Sequence, residues 1–204
     1  MCGIALCYSN TNLNSKDTVK SIINSIKHRG PDNQSYINLE NVSLGSCRLS
    51  IFDLSEKGNM PMKDNSGRYT IVFNGEIYNF KSLKTKFNLN IKSGTDTEVL
   101  LELYSLKKEK CLDYLNGIFA FVIYDSEENS FFCARDHVGV KPFYYYKKNQ
   151  DFIVSSEIRG LQKIFSNKFN INKIKTYLTT SFYDFGEQTF YEDIYQLQDR
   201  KSVV

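Results

Sequence analysis

The sequence predicts an α+β fold in which two antiparallel sheets pack face to face and helices cover the outside. Three observations carry this expectation. Residues 118–124 are apolar at odd and even positions alike, so a strand there must be covered on both faces. The strand-like runs that follow are separated by short polar turns at 125–129 and 147–150, which suit hairpins rather than helical crossovers. Only a few amphipathic helical stretches interrupt the β-rich runs, in keeping with helices layered outside the sheets.

Residues 3–8 are short, apolar and followed by the polar run 9–15, the signature of a buried strand. Ser15 is expected to cap a helix whose Val19, Ile22, Ile23 and Ile26 recur at helical spacing. Lys27-His28-Arg29-Gly30-Pro31 is its stop signal. Strands are expected at 35–39, 42–47 and 69–73, and a short helix at 78–87. Thr95 and Glu98 read as a capping box. The helix they open is expected to bury Val99, Leu100, Leu103, Tyr104 and Leu106. Residues 112–115 end another short helix, and 130–134 return antiparallel to 118–124. Two more strands are expected at 141–146 and 151–155.

A chain of 204 residues suits one substantial domain that buries roughly 70% of its unfolded surface. Its net charge of +3 is dispersed, unlike the basic stripe of a nucleic-acid binder. No apolar run approaches the ~20 residues of a membrane span, and the N-terminus lacks the basic-then-apolar pattern of a secretory signal. The five cysteines (Cys2, Cys7, Cys47, Cys111 and Cys133) are scattered, with no CxxC or Cys/His cluster. That speaks against a disulfide framework or a metal site and for a reducing cytoplasm.

The N-terminal Met1-Cys2-Gly3-Ile4 holds the chemistry of most interest. Removal of Met1 would leave a thiol and a free α-amine on one residue, with ordinary pKa values of about 8.5 and 8. Cys2 would then supply both nucleophile and general base for acyl transfer. Such a reaction needs an oxyanion stabiliser, typically about 3–4 kcal/mol per donor. Asn74 and Gly75, placed directly after a strand, can supply a side-chain amide and a backbone N–H; the alternative is an ordinary Asn-Gly hairpin turn. Arg48 interrupts an apolar stretch and needs an anionic partner, either an internal carboxylate or that of a substrate. Asp96 is explained by a helix N-terminus alone and could equally hold an ammonium.

Further segments occur in order: His-Arg-Gly-Pro-Asp at 28–32, Arg-Leu-Ser-Ile at 48–51, Asn-Gly-Glu-Ile-Tyr-Asn at 74–79 and Ser-Gly-Thr-Asp-Thr-Glu at 93–98. Gly-Ile-Phe-Ala-Phe at 117–121, Ala-Arg-Asp-His-Val-Gly-Val-Lys-Pro-Phe-Tyr at 134–144 and Ser-Ser-Glu-Ile at 155–158 follow. From residue 2 to 197 the chain resembles the class II glutamine amidotransferase domain of glutamine-hydrolysing asparagine synthetases. The resemblance implies the N-terminal-nucleophile hydrolase fold, a four-layer αββα sandwich. It implies that Cys2 attacks the side-chain amide of L-glutamine, that Asn74 and Gly75 form the oxyanion hole, and that Arg48 grips the α-carboxylate. Glu76 and Asp96 would hold the α-ammonium, and Leu49, Ser50, Ile51 and Phe52 would line the pocket. No cofactor is expected for this half of the reaction.

Family members continue into an ATP- and Mg-dependent synthetase domain with a Ser-Gly-Gly-x-Asp-Ser loop, which has no counterpart here. The family's Pro-Pro-Gly-His is replaced by Gln198-Asp199-Arg200-Lys201, so 198–204 reads as a divergent tail. The expected partner is a synthetase domain or subunit that receives ammonia, and a homodimer is compatible with the sequence. The other readings are a stand-alone subunit serving another acceptor such as a sugar, a silent fragment, or a hydrolase of a different amide. The 28–32 segment reads as structural, a helix stop in which Asp32 and Arg29 could pair beside the site, and His137 is expected to sit in a sheet turn without catalytic work.

Overall fold

The computed structural model describes residues 1–11, 13–51, 53–165, 168–183, 185–198 and 202–203. In chain order its elements are β1 (Gly3–Ser9), α1 (Ser15–Ser25), β2 (Asn33–Leu39), β3 (Val42–Arg48), β4 (Met62–Lys63) and β5 (Tyr69–Ile77). Then come α2 (Phe80–Lys86), α3 (Asp96–Lys107), β6 (Gly117–Asp125), β7 (Ser130–Arg135), β8 (Tyr144–Lys148) and β9 (Asp151–Ser155). The chain closes with α4 (Ile158–Gln162), α5 (Ile171–Thr180), β10 (Ile194–Gln196) and β11 (Ser202–Val203). One sheet has the order β10-β8-β9-β1-β3-β2, the other β11-β7-β6-β5-β4, and their neighbouring strands run antiparallel.

Side chains alternate between the two faces of a strand, and here both faces are buried. In β1, Ile4 and Leu6 meet Val72 of β5 and Ala120 and Val122 of β6 in a core between the sheets. Ala5 and Cys7 turn the other way, onto Val19, Ile22 and Ile26. In β6, Phe119, Phe121 and Ile123 pack outward against Val99, Leu100 and Leu103 of α3. The layers are therefore helix, sheet, sheet, helix, and the doubly apolar strand at 118–124 is explained. Gly45 lets α1 approach β3: a Cβ there would lie 2.6 Å from Val19 Cγ1 and 2.9 Å from Ile23 Cγ1.

Several local expectations are corrected. Asn14, not Ser15, caps α1, its side chain accepting from Asp17 N–H at 3.1 Å; Ser15 Oγ lies 3.1 Å from Ser43 Oγ instead. The Thr95–Glu98 box is half made: Thr95 Oγ1 accepts from Glu98 N–H, but the Glu98 carboxylate accepts from Lys92 and Ser93 N–H rather than from Thr95. Leu106 is 55% exposed, because α3 rotates it off the sheet while Leu101 is buried. The strand begun at Tyr69 continues to Ile77, and β8 starts at Tyr144 because Asp136 ties the preceding residues into a turn. The expected helix ending at 112–115 is a 3-10 segment, Lys108–Tyr114. Leu197 packs in the inter-sheet core. Of the expected tail, 199–201 and 204 fall outside the described residues, and Ser202 and Val203 pair with Ala134 and Cys133.

Gly45→Ala should destabilise the fold by about 1–3 kcal/mol through overpacking, whereas Leu106→Ala should stay within about 0.5 kcal/mol of the parent. Urea unfolding monitored by circular dichroism distinguishes the two; equal midpoints would contradict this packing.

Candidate active site

The inner faces of β1, β3 and β5 change character at one end of the sandwich. Leu6 and Ile4 of β1, Leu44 of β3 and Val72 of β5 face inward, and continuing each row at every second residue reaches Cys2 just before β1, Ser46 and Arg48 in β3, and Asn74 and Glu76 in β5. Because β1 and β3 are antiparallel, with Gly3 opposite Cys47, Cys2 and Arg48 arrive side by side. They open into a cleft that is also lined by Asn74, Gly75, Glu76 and Asp96.

The Cys2 sulfur accepts from Leu49 N–H at 3.4 Å and can donate to Leu49 O at 3.7 Å. Burial pushes its thiol pKa up, while the Leu49 N–H, the chain-terminal ammonium and Arg48 pull the other way. A thiol so placed needs a base to ionise it. The other four cysteines are fully buried. Burial lifts Cys7 and Cys111 to about 12 and Cys47 to about 11, and Cys133 higher still, so they are inert core.

Asn74 and Gly75 sit inside β5, opposite Ala120 and Phe119, not in a turn after it; the Asn-Gly hairpin alternative is ruled out. Asn74 is fully buried, yet among the described residues neither its Nδ2 nor its Oδ1 has a hydrogen-bond partner. An unsatisfied buried group costs about 1–3 kcal/mol. Gly75 is set by its neighbour strand. Phe119 directs both its N–H and its C=O at Asp136, at 3.3 and 2.8 Å, so Gly75 opposite must aim its own N–H at the other edge of β5. There β4 has already ended, pairing only with Thr70 and Ile71. Phe73 and Ile77 share that edge and donate to Met60 Sδ (3.3 Å) and Asp96 Oδ2 (2.8 Å). The Gly75 N–H lies between them. A Cβ at 75 would fall on the Ile118 carbonyl and 2.7 Å from Phe119 Cα, which excludes larger residues.

Arg48 is 6% exposed and, among the described residues, forms no ion pair with a carboxylate. Its Nη1 donates to Ser55 O and Asn59 Oδ1, both at 2.9 Å, and its Nη2 to Asp53 O. Arg48 therefore anchors the 53–59 loop as well as facing the cleft, so its truncation would loosen that loop too. Of a guanidinium's five N–H groups, Nε and one on Nη2 have no acceptor among the described residues. Asp96, the first residue of α3, is 5% exposed. Burial lifts its pKa to about 6 against the hydrogen bond from Ile77, with Glu76 adding to the rise.

Leu49 and Ile51 line the cleft. Ser50 between them does not; its N–H goes to Asp32 Oδ2 at 2.7 Å. Phe52 lies outside the described residues. The expected Asp32–Arg29 pair is replaced by Arg29–Glu157 at 3.0 Å, since Asp32 is engaged by Ser50. His137 sits in the 136–141 turn, away from the cleft. Sequence reasoning missed Lys141, which lines the cleft and is 7% exposed; reading 141–146 as a strand hid it. It also missed Asp53, whose carboxylate is held to a pKa of about 2 by Ser55 and the Gly94 N–H. No group of three or more metal-binding side chains occurs among the described residues, and no helix there is long and apolar enough to cross a membrane.

A family model described as a glutamine amidotransferase domain matches residues 1–203. This chain belongs to the glutamine amidotransferase family. The amidotransferase is 40% identical to the putative glutamine-hydrolysing asparagine synthetase 2 of Methanocaldococcus jannaschii, over 93% of this chain and 42% of that protein. It is 37% identical to the glutamine-hydrolysing asparagine synthetase 3 of Bacillus subtilis, over 79% of this chain and 27% of that protein. The chain thus spans less than half the length of these curated relatives. Glutamine phosphoribosylpyrophosphate amidotransferase from B. subtilis superposes with a TM-score of 0.68 at 17% identity, covering 79% of this chain and 43% of that one. That likeness shows a shared αββα fold.

The Asp96 environment has a measurable cost. A carboxyl raised from 3.8 to about 6 on folding stabilises the fold only while protonated, below about pH 4. That contribution is lost as pH rises through about 6, leaving a penalty of about 2–3 kcal/mol at neutral pH. Asp96→Asn should therefore raise the melting temperature at pH 7.5 and leave it little changed near pH 4; calorimetry at both values showing no pH-dependent difference would contradict it.

Proposed function

We propose that this amidotransferase hydrolyses L-glutamine to glutamate and ammonia at Cys2 once Met1 has been removed. The observation that carries the reading is the fully buried, unpartnered Asn74 amide beside an edge-facing Gly75 N–H, in the same cleft as a thiol. Two donors converging on a water-poor point suit an oxyanion that forms only during reaction. Arg48, with guanidinium N–H groups to spare, takes the α-carboxylate, and Glu76 with Asp96 takes the α-ammonium. A cationic and an anionic handle within one cleft fit a free amino acid better than a peptide.

The freed α-amine of Cys2 removes the thiol proton, which burial otherwise holds in place. The sulfur attacks the side-chain amide carbon, and its oxygen becomes an oxyanion facing Asn74 Nδ2 and Gly75 N–H. The amide nitrogen takes the proton from the Cys2 ammonium as the C–N bond breaks, so that ammonia departs and a thioester remains. Water, deprotonated by the same amine, cleaves the thioester to glutamate and restores the thiol. An ammonium at Glu76 and Asp96 opposes the burial that raises the Asp96 pKa, so bound glutamine favours its carboxylate.

The names of the curated relatives, glutamine-hydrolysing asparagine synthetases, support a synthetase portion as the ammonia acceptor, in the same chain or a second one. On this reading the product of the combined reaction is asparagine, made from aspartate.

Protein whose Met1 loss is verified by N-terminal mass should release glutamate from glutamine and form a thioester with a glutamine-like diazoketone. Protein retaining Met1 should do neither. Asn74→Ala should lower kcat about 100- to 1000-fold with little change in KM. Absence of glutamate release from the processed protein would overturn the assignment.

A further inference from the structure

The main chain of Cys2, and not only its sulfur, is held by the protein. Arg29 Nε donates to the Cys2 carbonyl at 2.9 Å, and Arg29 Nη1 donates to Glu157 Oε1 at 3.0 Å. His28 Nε2 meets the same Glu157 oxygen at 2.9 Å. The Arg29 side chain is 8% exposed and that of Glu157 23%. Burial works against the Glu157 carboxylate, but Arg29 and His28 outweigh it and keep its pKa below the usual range. Neither Arg29 nor Glu157 lines the cleft.

Glu157 is itself stitched to the start of β1. Ser156 N–H donates to Ile4 O at 3.1 Å, Ser156 Oγ accepts from Ile4 N–H at 2.9 Å, and Glu157 N–H donates to Ser155 Oγ at 3.2 Å. The carboxylate therefore sits on backbone locked to the strand that carries Cys2. A chain terminus otherwise frays. The Cys2 carbonyl, α-amine and Cβ share one Cα, so a fixed carbonyl places the atom from which amine and sulfur project, and the Leu49 N–H contact to the sulfur limits the remaining rotation.

We propose that Glu157 is a positioning residue for the Cys2 nucleophile, acting by orienting Arg29 against the Cys2 carbonyl. This rests on the reading of Cys2 as the nucleophile. Reacting atoms must lie about 3–3.5 Å apart, and a misplacement of about 1 Å can cost about 100-fold. Without Glu157, the Arg29 guanidinium is free to swing away from the carbonyl, and the terminal residue regains its torsional freedom. Because the pair stands outside the cleft, glutamine binding does not depend on it.

The test uses Met1-processed protein carrying Glu157→Gln, Arg29→Gln and both changes. It reads kcat and KM for glutamate release, the rate of Cys2 alkylation by iodoacetamide, and thermal melting. Glu157→Gln should lower kcat about 10- to 100-fold, leave KM within about twofold and slow Cys2 alkylation. In the double variant the losses should not multiply, because both changes break one linkage. Losses that multiply, unchanged kcat in a folded variant, or a raised KM with unchanged kcat would each overturn the proposal. Should Glu157→Gln not fold, Glu157→Asp keeps the charge but withdraws it from Arg29, and parental kcat there would count equally against it. If the unmutated protein releases no glutamate, the glutaminase reading fails. The alkylation rate then decides the positioning role alone, slowing supporting it and an unchanged rate overturning it.

Discussion

The face-to-face packing of the two sheets is the constraint on which the site depends. It forces inward residues of β1, β3 and β5 into a common gap, and antiparallel pairing of β1 with β3 brings the start of one beside the end of the other. Where the gap is closed, Ile4, Leu6, Leu44, Val72 and Val122 fill it. Where it opens, the same rows continue as Cys2, Arg48 and Asn74. A shift of one residue in any of these strands would carry its functional side chain to the opposite face, against a helix. Precision at the site is thus inherited from the apolar packing behind it.

That open end works against stability. An amide without partners, a carboxyl stripped of water and a guanidinium lacking a carboxylate are each unfavourable in the free protein. They are tolerated because three apolar layers, two of them faced by helices, hold the surrounding backbone. Each of these deficits is of the kind a bound zwitterion or a transient oxyanion would relieve, so the free site is organised for an occupant rather than for itself.

Much of the fold was legible in the sequence because it follows from periodicity. Apolar residues at both parities of 118–124 required two covered faces, and the helical spacing of Val19, Ile22 and Ile26 identified α1. Cys2, Arg48, Asn74, Gly75, Glu76 and Asp96, brought together by resemblance and chemistry, line one cleft. What escaped depends on tertiary partners. Lys141 reaches the cleft because Asp136 gathers four N–H groups into a turn, and no local pattern announces that. Arg29 chose Glu157 over the adjacent Asp32 because β9 delivers a carboxylate from far along the chain. Leu106 and Ser15 were misjudged by less than one helical turn, where rotation and capping are decided by neighbours.

The brevity of β4 has one more consequence. Beyond Thr70 and Ile71, the edge of β5 has no strand of its own sheet beside it among the described residues, and an unpaired edge is where another strand can add to a sheet. Met60 and Asp96 occupy the donors of Phe73 and Ile77, flanking Gly75 with a thioether and a helix-borne carboxylate. With those two donors taken, a further strand has little left to pair with along this edge, so the lining of the cleft also limits the growth of the sheet.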